Sequence, residues 1–348
     1  MIAMRLGELF ILLVRMCYNC PLTPATQKDR SMDCALRIGS VPLYGDLILA
    51  PMVGYTDLPF RLLCREMGSA MSYIPCILDE AVIHNPKLAE TSLRFDANER
   101  PVAIQLLSKD SASLAEAGRR LMAFGPDLLD LNLGCPARHV SWRGRGAALL
   151  CDPRRIGSLV ASLTRAVSVP VTAKIRLGWD EDTRNYLEVA RILEDNGVAA
   201  IGVHGRTKAQ GFSGRADWKA IAEVKALVKV PVLANGDVRT VADIAAIRSV
   251  TGCDAVLIGR GAIGNPWIFQ RRDIADVSYP ERLAVIRRHL EAMVAYYGEP
   301  LGVILFRKHL IKYVQELDGA KALRQKLVTV EEPEALLRLL EDWERPGP

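Results

Sequence analysis

The feature that most constrains this chain is an alternation. From Leu47 onward, short apolar runs rich in β-branched residues take turns with amphipathic stretches. The runs are "LILAPM" (47–52), "AMSYIPCIL" (70–78), "PVAIQLL" (101–107), "LLDLNLG" (128–134), "PVTAKIR" (170–176), "AAIGVHG" (199–205), "PVLANGD" (231–237) and "AVLIGRG" (255–261). They are bounded by Gly, Pro and Asp and apolar through their middles, which predicts strands covered on both faces. Between them, stretches such as "SASLAEAGRRLMAFG" and "NYLEVARILEDNG" have helical periodicity and end in a glycine suited to a helix C-terminus. Eight strands with intervening helices predict an α/β protein, a (β/α)8 TIM barrel. The rival, an open doubly wound sheet, would carry GxGxxG after its first strand; here that strand runs into "APMVGYTD".

After about residue 275 the strand pattern stops, and "PERLAVIRRHLEAMVAYYG", "VILFRKHLIKYVQEL", "AKALRQKLVTV" and "PEALLRLLEDWE" read as four helices. The expected division is a barrel over 32–275 and an all-helical domain over 276–348. Residues 1–31 read as a poorly ordered or spurious extension. Their apolar stretch before Arg15 is too short to span a membrane, and Met32 is an alternative start. The eight cysteines (17, 20, 34, 64, 76, 135, 151 and 253) are scattered. That pattern suits free thiols in a reducing cytoplasm, not a disulfide framework. Cys17 and Cys20 form a CxxC with no second pair, so no metal site is expected. The net charge of +5 permits an anionic partner without demanding one.

In a barrel of this kind the chemistry sits at the C-terminal ends of the strands. The polar residues and glycines of this chain fall there. The first strand ends in Pro51, Met52 and Val53, the third carries Gln105, and the fourth ends in Asn132 and Cys135. The fifth carries Lys174 and Arg176, the sixth ends in His204 and Arg206, the seventh in Asn235, Gly236 and Asp237, and the eighth in Gly259 and Arg260. Glycines after the last two strands let backbone amides approach a phosphate, and Arg260 adds a fork of donors. A phosphorylated ligand is therefore expected. Lysine within an apolar strand is rare unless it is paired or functional, which singles out Lys174. Cys135, between Gly134 and Pro136, is either an acid or a nucleophile. A thiol of ordinary pKa, about 8.5, is protonated at neutral pH and suits the first role. A Cys–His pair with His139 would suit the second.

The stretches "LAPMVGYTDLPFR", "VAIQLLSKD", "DLNLGCP", "GRGAALL", "AKIRLGW", "VHGRTKAQGFSGRADW", "ANGDV" and "IGRGAIGNPWIF", followed by "FRKHLIKY" at 306–313, resemble in order those of the tRNA-dihydrouridine synthase family. The bacterial B-type subfamily is the most similar. The resemblance implies an FMN enzyme, with NADPH as reductant, that reduces the C5–C6 double bond of uridines in tRNA. Hydride would go from flavin N5 to C6 and a proton from Cys135 to C5. It implies that Pro51, Met52, Val53, Gln105, Lys174, His204, Asn235, Gly236, Asp237, Gly259 and Arg260 surround FMN. Substrate contacts are expected from Asn132, Arg138, Arg176, Arg206, Arg307 and Lys308, with the helical domain binding tRNA. The protein is expected to be a cytoplasmic monomer needing no metal and no membrane. Two positions depart from the family pattern: Val53 replaces an alanine, and Arg138-His139 replaces a pair of lysines. The alternative reading is an FMN-dependent barrel oxidoreductase acting on a small pyrimidine or another enone.

Overall fold

The computed structural model describes residues 34–317 and 319–343 of the 348. The extension expected over 1–31 and the CxxC at Cys17 and Cys20 lie outside the described residues. A short antiparallel hairpin, β1 (Leu36–Ile38) and β2 (Val41–Leu43), opens the described chain. The barrel strands follow: β3 (Leu47–Leu49), β4 (Ser72–Leu78), β5 (Val102–Leu107), β6 (Leu128–Leu133), β7 (Val171–Arg176), β8 (Ala200–His204), β9 (Val232–Asn235) and β10 (Ala255–Ile258). All pair in parallel in the order β3-β10-β9-β8-β7-β6-β5-β4. The backbone N–H of Ala70, just ahead of β4, donates to the Leu47 carbonyl, which brings the two outer strands together. All eight predicted runs are strands, and the predicted (β/α)8 barrel is the fold.

The covering helices are α1 (Leu58–Glu66), α2 (Asp79–His84), α3 (Pro86–Ser92), α4 (Ser111–Leu121), α5 (Arg138–Ser141), α6 (Pro153–Ala166), α7 (Tyr186–Asp195), α8 (Trp218–Leu227) and α9 (Val241–Thr251). Local chemistry starts several of them. Asp57, Asp110, Asp152 and Asp217 each accept a hydrogen bond from an amide in the first turn, satisfying a donor that the helix leaves open. Alternate strand residues and one stripe of each helix then form a continuous buried layer. The helical segment consists of α10 (Tyr279–Tyr297), α11 (Leu301–Tyr313), α12 (Ala320–Leu327) and α13 (Pro333–Trp343). It matches the four helices expected there.

The hairpin was not foreseen. Ile38 and Leu43 are fully buried in a second cluster with Ala103, Leu128, Ala200, Leu233 and Ala255, residues at or near the N-terminal ends of the strands. The hairpin therefore plugs the bottom of the barrel, leaving the C-terminal mouth for ligands. The α1 end of the barrel joins the helical segment through Asp57, Lys308, His289 and His309. Among the described residues, no helix is long and apolar enough to cross a membrane.

Candidate active site at the barrel mouth

Strand register assembles the mouth. Asn132 pairs with Lys174, Lys174 with Gly202, Arg176 with His204, and His204 with Asn235. A Cβ on Gly202 would lie 3.3 Å from the Lys174 stem, so glycine there leaves that stem its room. The Lys174 ammonium donates to Asn235 Oδ1 at 2.8 Å, and Asn235 Nδ2 donates to the Leu257 carbonyl. Lys174 thus leans on a neutral amide, not an acid. Burial and then the Arg176 charge bring its pKa down to about 7.

A second chain of hydrogen bonds crosses the floor. Asn132 Nδ2 donates to Gln105 Oε1 at 2.8 Å, Gln105 Nε2 to Asp130 Oδ2 at 2.7 Å, and the Thr172 hydroxyl to Asp130 Oδ1 at 2.6 Å. Burial raises the Asp130 carboxyl to about 6, although Thr172, Gln105 and Lys174 oppose the shift. Sequence reading missed Asp130 and Thr172. Their only signal was polarity at inward positions of otherwise apolar strands.

The Cys135 loop is clamped at each step. Asn132 Oδ1 accepts from the amides of Gly134 (3.1 Å) and Cys135 (2.8 Å). Arg176 Nε donates to the Gly134 carbonyl at 2.8 Å, and the Ala147 amide to the Cys135 carbonyl. Gly146, at φ +60°, backs directly onto Cys135, where an added Cβ would come within 3.0 Å of its Cβ. A second thiol, Cys76 on β4, is pushed up to about 12 by burial, with Cys135 close enough to add to the effect.

The ends of β7, β8 and β10 concentrate positive charge. Burial takes the Arg176 guanidinium down to about 10, with Arg206 and Arg260 adding to the effect. His204 is held well below its ordinary value, first by burial and then by Lys174, Arg176, Arg206 and Arg260. It is a neutral imidazole at the mouth. Arg206 Nη2 and the Ala216 amide each donate to Asp237 Oδ2 at 2.7 Å. Those bonds hold Asp237 in a left-handed conformation (φ +57°) that a non-glycine residue rarely adopts. Buried Arg206 Nη1 and Asp237 Oδ1 have no hydrogen-bond partner. Gly259 stands where a Cβ would meet Met52 Sδ at 3.3 Å. The β3–α1 loop is shaped by Thr56, whose hydroxyl accepts from the Met52 amide and donates to the Met52 carbonyl.

The structure therefore brings Met52, Gln105, Asn132, Cys135, Lys174, His204, Asn235, Gly236, Asp237, Gly259 and Arg260 to one end of the barrel. Pro51 is half-buried beside Met52, while Val53 is exposed. Four residues expected at the substrate have partners within the protein. Arg176 and Arg206 are only 2% and 1% exposed. Arg176 donates to the Gly134, Thr207 and Gly211 carbonyls, and Arg206 to those of Ser213 and Gly214. They build the loops instead of presenting a surface. Arg307 donates to the Val330 carbonyl, and Lys308 lies 3.9 Å from Asp57, so both are engaged within the protein. Arg145, which follows the Cys135 loop, is buried against Glu80.

A plugged parallel barrel whose mouth gathers cations around a clamped thiol has the layout of a (β/α)8-barrel enzyme. The family model for dihydrouridine synthase (Dus) matches residues 48–345. The tRNA-dihydrouridine synthase B of Pseudomonas aeruginosa is 38% identical over 308 residues, covering 86% of this chain and 93% of that one. A probable tRNA-dihydrouridine synthase of Mycobacterium tuberculosis is 38% identical over 316 residues, covering 85% and 81%. The chain belongs to the dihydrouridine synthase family, and it is an oxidoreductase acting on a carbon–carbon bond. Among solved structures it resembles 2-naphthoyl-CoA reductase (TM-score 0.53, 13% identity, 68% of this chain and 51% of that one). It also resembles histamine dehydrogenase from Rhizobium sp. 4-9 (TM-score 0.50, 14% identity, 80% and 50%). The chain spans about half of each of those structures, and the likeness is one of fold.

Proposed function

We propose that this protein reduces the C5–C6 double bond of specific uridines in tRNA, with FMN as its resident cofactor and NADPH as reductant. One observation carries the reading most. Cys135, at the end of β6, and Lys174, on adjoining β7, share a mouth whose cations outnumber its ionised acids. The residues fit a ribityl phosphate and an electron-rich ring. Arg260 and the glycine turns after β9 and β10 suit the phosphate, and the unpartnered Arg206 Nη1 faces the same charge need. Lys174 and Gln105 suit the ring. FMN held there would supply hydride chemistry at C6 of the uracil.

This chain's own residues do the rest. Asn132, Arg176 and Ala147 hold the Cys135 loop so that the thiol gives its proton to C5. Neutral His204 and Lys174 orient polar atoms at the mouth. The uracil must leave its stack in folded tRNA, at a cost of about a few kcal/mol, which contacts to the RNA backbone offset. Arg138 is exposed beside the thiol loop, and Lys312, Lys321 and Lys326 are exposed on the helical segment 276–348, which we assign to tRNA binding. This substrate places the work in the cytoplasm.

The test is direct. Purified protein should be yellow and hold one FMN. With NADPH it should form dihydrouridine in tRNA from cells lacking the gene, and none from free uridine. Equal turnover of free uridine would transfer the reading to a small-pyrimidine oxidoreductase.

A further inference from the structure

On the segment that follows the thiol stands a side chain that neither the fold nor the reduction uses. Trp142 follows α5, and at 71% exposure it is the most exposed large apolar side chain among the described residues. By contrast, Trp267 is buried. An indole this exposed offers a large, rigid, flat face to a partner.

Its position is fixed relative to Cys135. The Trp142 amide donates to the Arg138 carbonyl. The chain then turns through Gly144 to buried Arg145, paired with Glu80, and to Gly146 against Cys135. The Arg138 guanidinium lies 3.8 Å from the centroid of the indole. Arg138, His139, Trp142 and Arg143 are all exposed, and no acidic residue occurs from 136 to 151. A ring that carries a stacked guanidinium within a basic segment fits an aromatic partner with an anionic backbone. Taking a uracil out of its stack bares the face of the neighbouring base.

We propose that Trp142, backed by Arg138, is a stacking subsite for the tRNA base flanking the uridine that is reduced. The subsite rests on the function proposed above. Stacking reads the π-face, so the subsite tolerates any base, while Arg138 keeps donors for a phosphate.

The experiment titrates tRNA into the FMN-loaded enzyme while following tryptophan fluorescence, and measures dihydrouridine kinetics, for wild type, Trp142→Phe and Trp142→Ala. Trp142→Ala is expected to raise KM for tRNA roughly 5–100-fold, with a smaller change in kcat. Trp142→Phe should recover most of the loss, and both variants should lose the same component of tRNA-induced quenching. A KM for Trp142→Ala within about two-fold of wild type, or quenching unchanged in the variants, overturns the subsite. So does an unchanged KM with an altered sedimentation coefficient, which would assign the ring to an interface between copies. If wild type shows the Trp142 quench with tRNA but makes no dihydrouridine, the proposed reaction fails, and with it the assignment of the stacked base to the neighbour of a reduced uridine, while Trp142 stands as a stacking contact to tRNA.

Discussion

Two regions of this molecule bury cations beside histidines, and they differ in how the charge is balanced. At the junction between α1 and the helical segment, Asp57, Lys308, His289 and His309 pack together. The Asp57 carboxylate caps α1 through the Phe60 amide, accepts from the Tyr297 hydroxyl at 3.4 Å, and has the Lys308 ammonium at 3.9 Å. Ligand atoms of Asp57, His289 and His309 all lie within 4.8 Å of one another, a spacing compatible with a metal ion. Lys308 already supplies the positive charge there. Both histidines are enclosed, His289 among Phe60, Phe306 and Tyr313 and His309 against Phe60 and Tyr55. At the mouth, Lys174 leans on an amide, the Asp130 carboxyl is raised to about 6 and accepts from Thr172 and Gln105, and Asp237 is taken by Arg206. The junction neutralises its own charge and is closed. The mouth has a cationic surplus and is open. Neutral histidine and a lysine drawn in from solvent are common to both, so these features do not mark a site; what sets the mouth apart is its unbalanced charge.

That contrast predicts that substitutions at the mouth change ligand binding and catalysis, while those at the junction change stability. The largest effect should come from Cys135→Ala, which is expected to retain yellow flavin and NADPH oxidation while dihydrouridine formation falls about 10²–10⁴-fold. Full turnover in that variant would remove the thiol from the reaction. Next is Arg61 on α1, which pairs with Glu99 at 2.6 Å with both side chains enclosed, and also donates to the Thr56 carbonyl. Arg61→Ala leaves a carboxylate buried alone and should cost about 3–5 kcal/mol in denaturant unfolding. A loss of flavin affinity with no loss of stability would blur the boundary between the regions.

Lys174→Met should weaken FMN roughly 10–100-fold, the weight of a charged hydrogen bond, measured by flavin titration of the stripped protein. Unchanged affinity would make Lys174 a structural cation like Lys308. The smallest effect is in pH dependence at the junction. Burial, followed by the Lys308 charge, holds His289 down to about 3, and His309 is also held well below its ordinary value. An unfolded imidazole titrates near 6.5, so the unfolded chain takes up protons first. The contribution of His289 is whole above about pH 6.5 and is lost as pH falls towards about 3, by at most about 1.4 kcal/mol per unit, and His309 acts in the same direction. His289→Gln should flatten that slope in urea unfolding at pH 5 to 7; an unaltered slope would place the titration elsewhere.

Much of this was legible in the sequence. Strands buried on both faces write themselves as apolar runs, and glycines that admit close approach stand at the strand ends, so the eight strands and Lys174, Asn235, Gly236 and Gly259 could be read locally. Cys135 was visible for the same reason: Gly134 and Pro136 mark the end of a strand. Burial could not be read, because it depends on packing between distant segments. Arg176 and Arg206 look like surface contacts in sequence, yet loop carbonyls from residues 134 to 214 enclose them. The hairpin over 36–43 offers few residues and no periodicity, yet it closes one end of the barrel. Asp57 and His289 meet only because α10 packs on α1. By itself, the sequence determined the barrel, the mouth and its thiol, since each follows from local pattern. Only the tertiary structure decided which charges are satisfied internally and which are left in surplus, since charge balance belongs to neighbours in space.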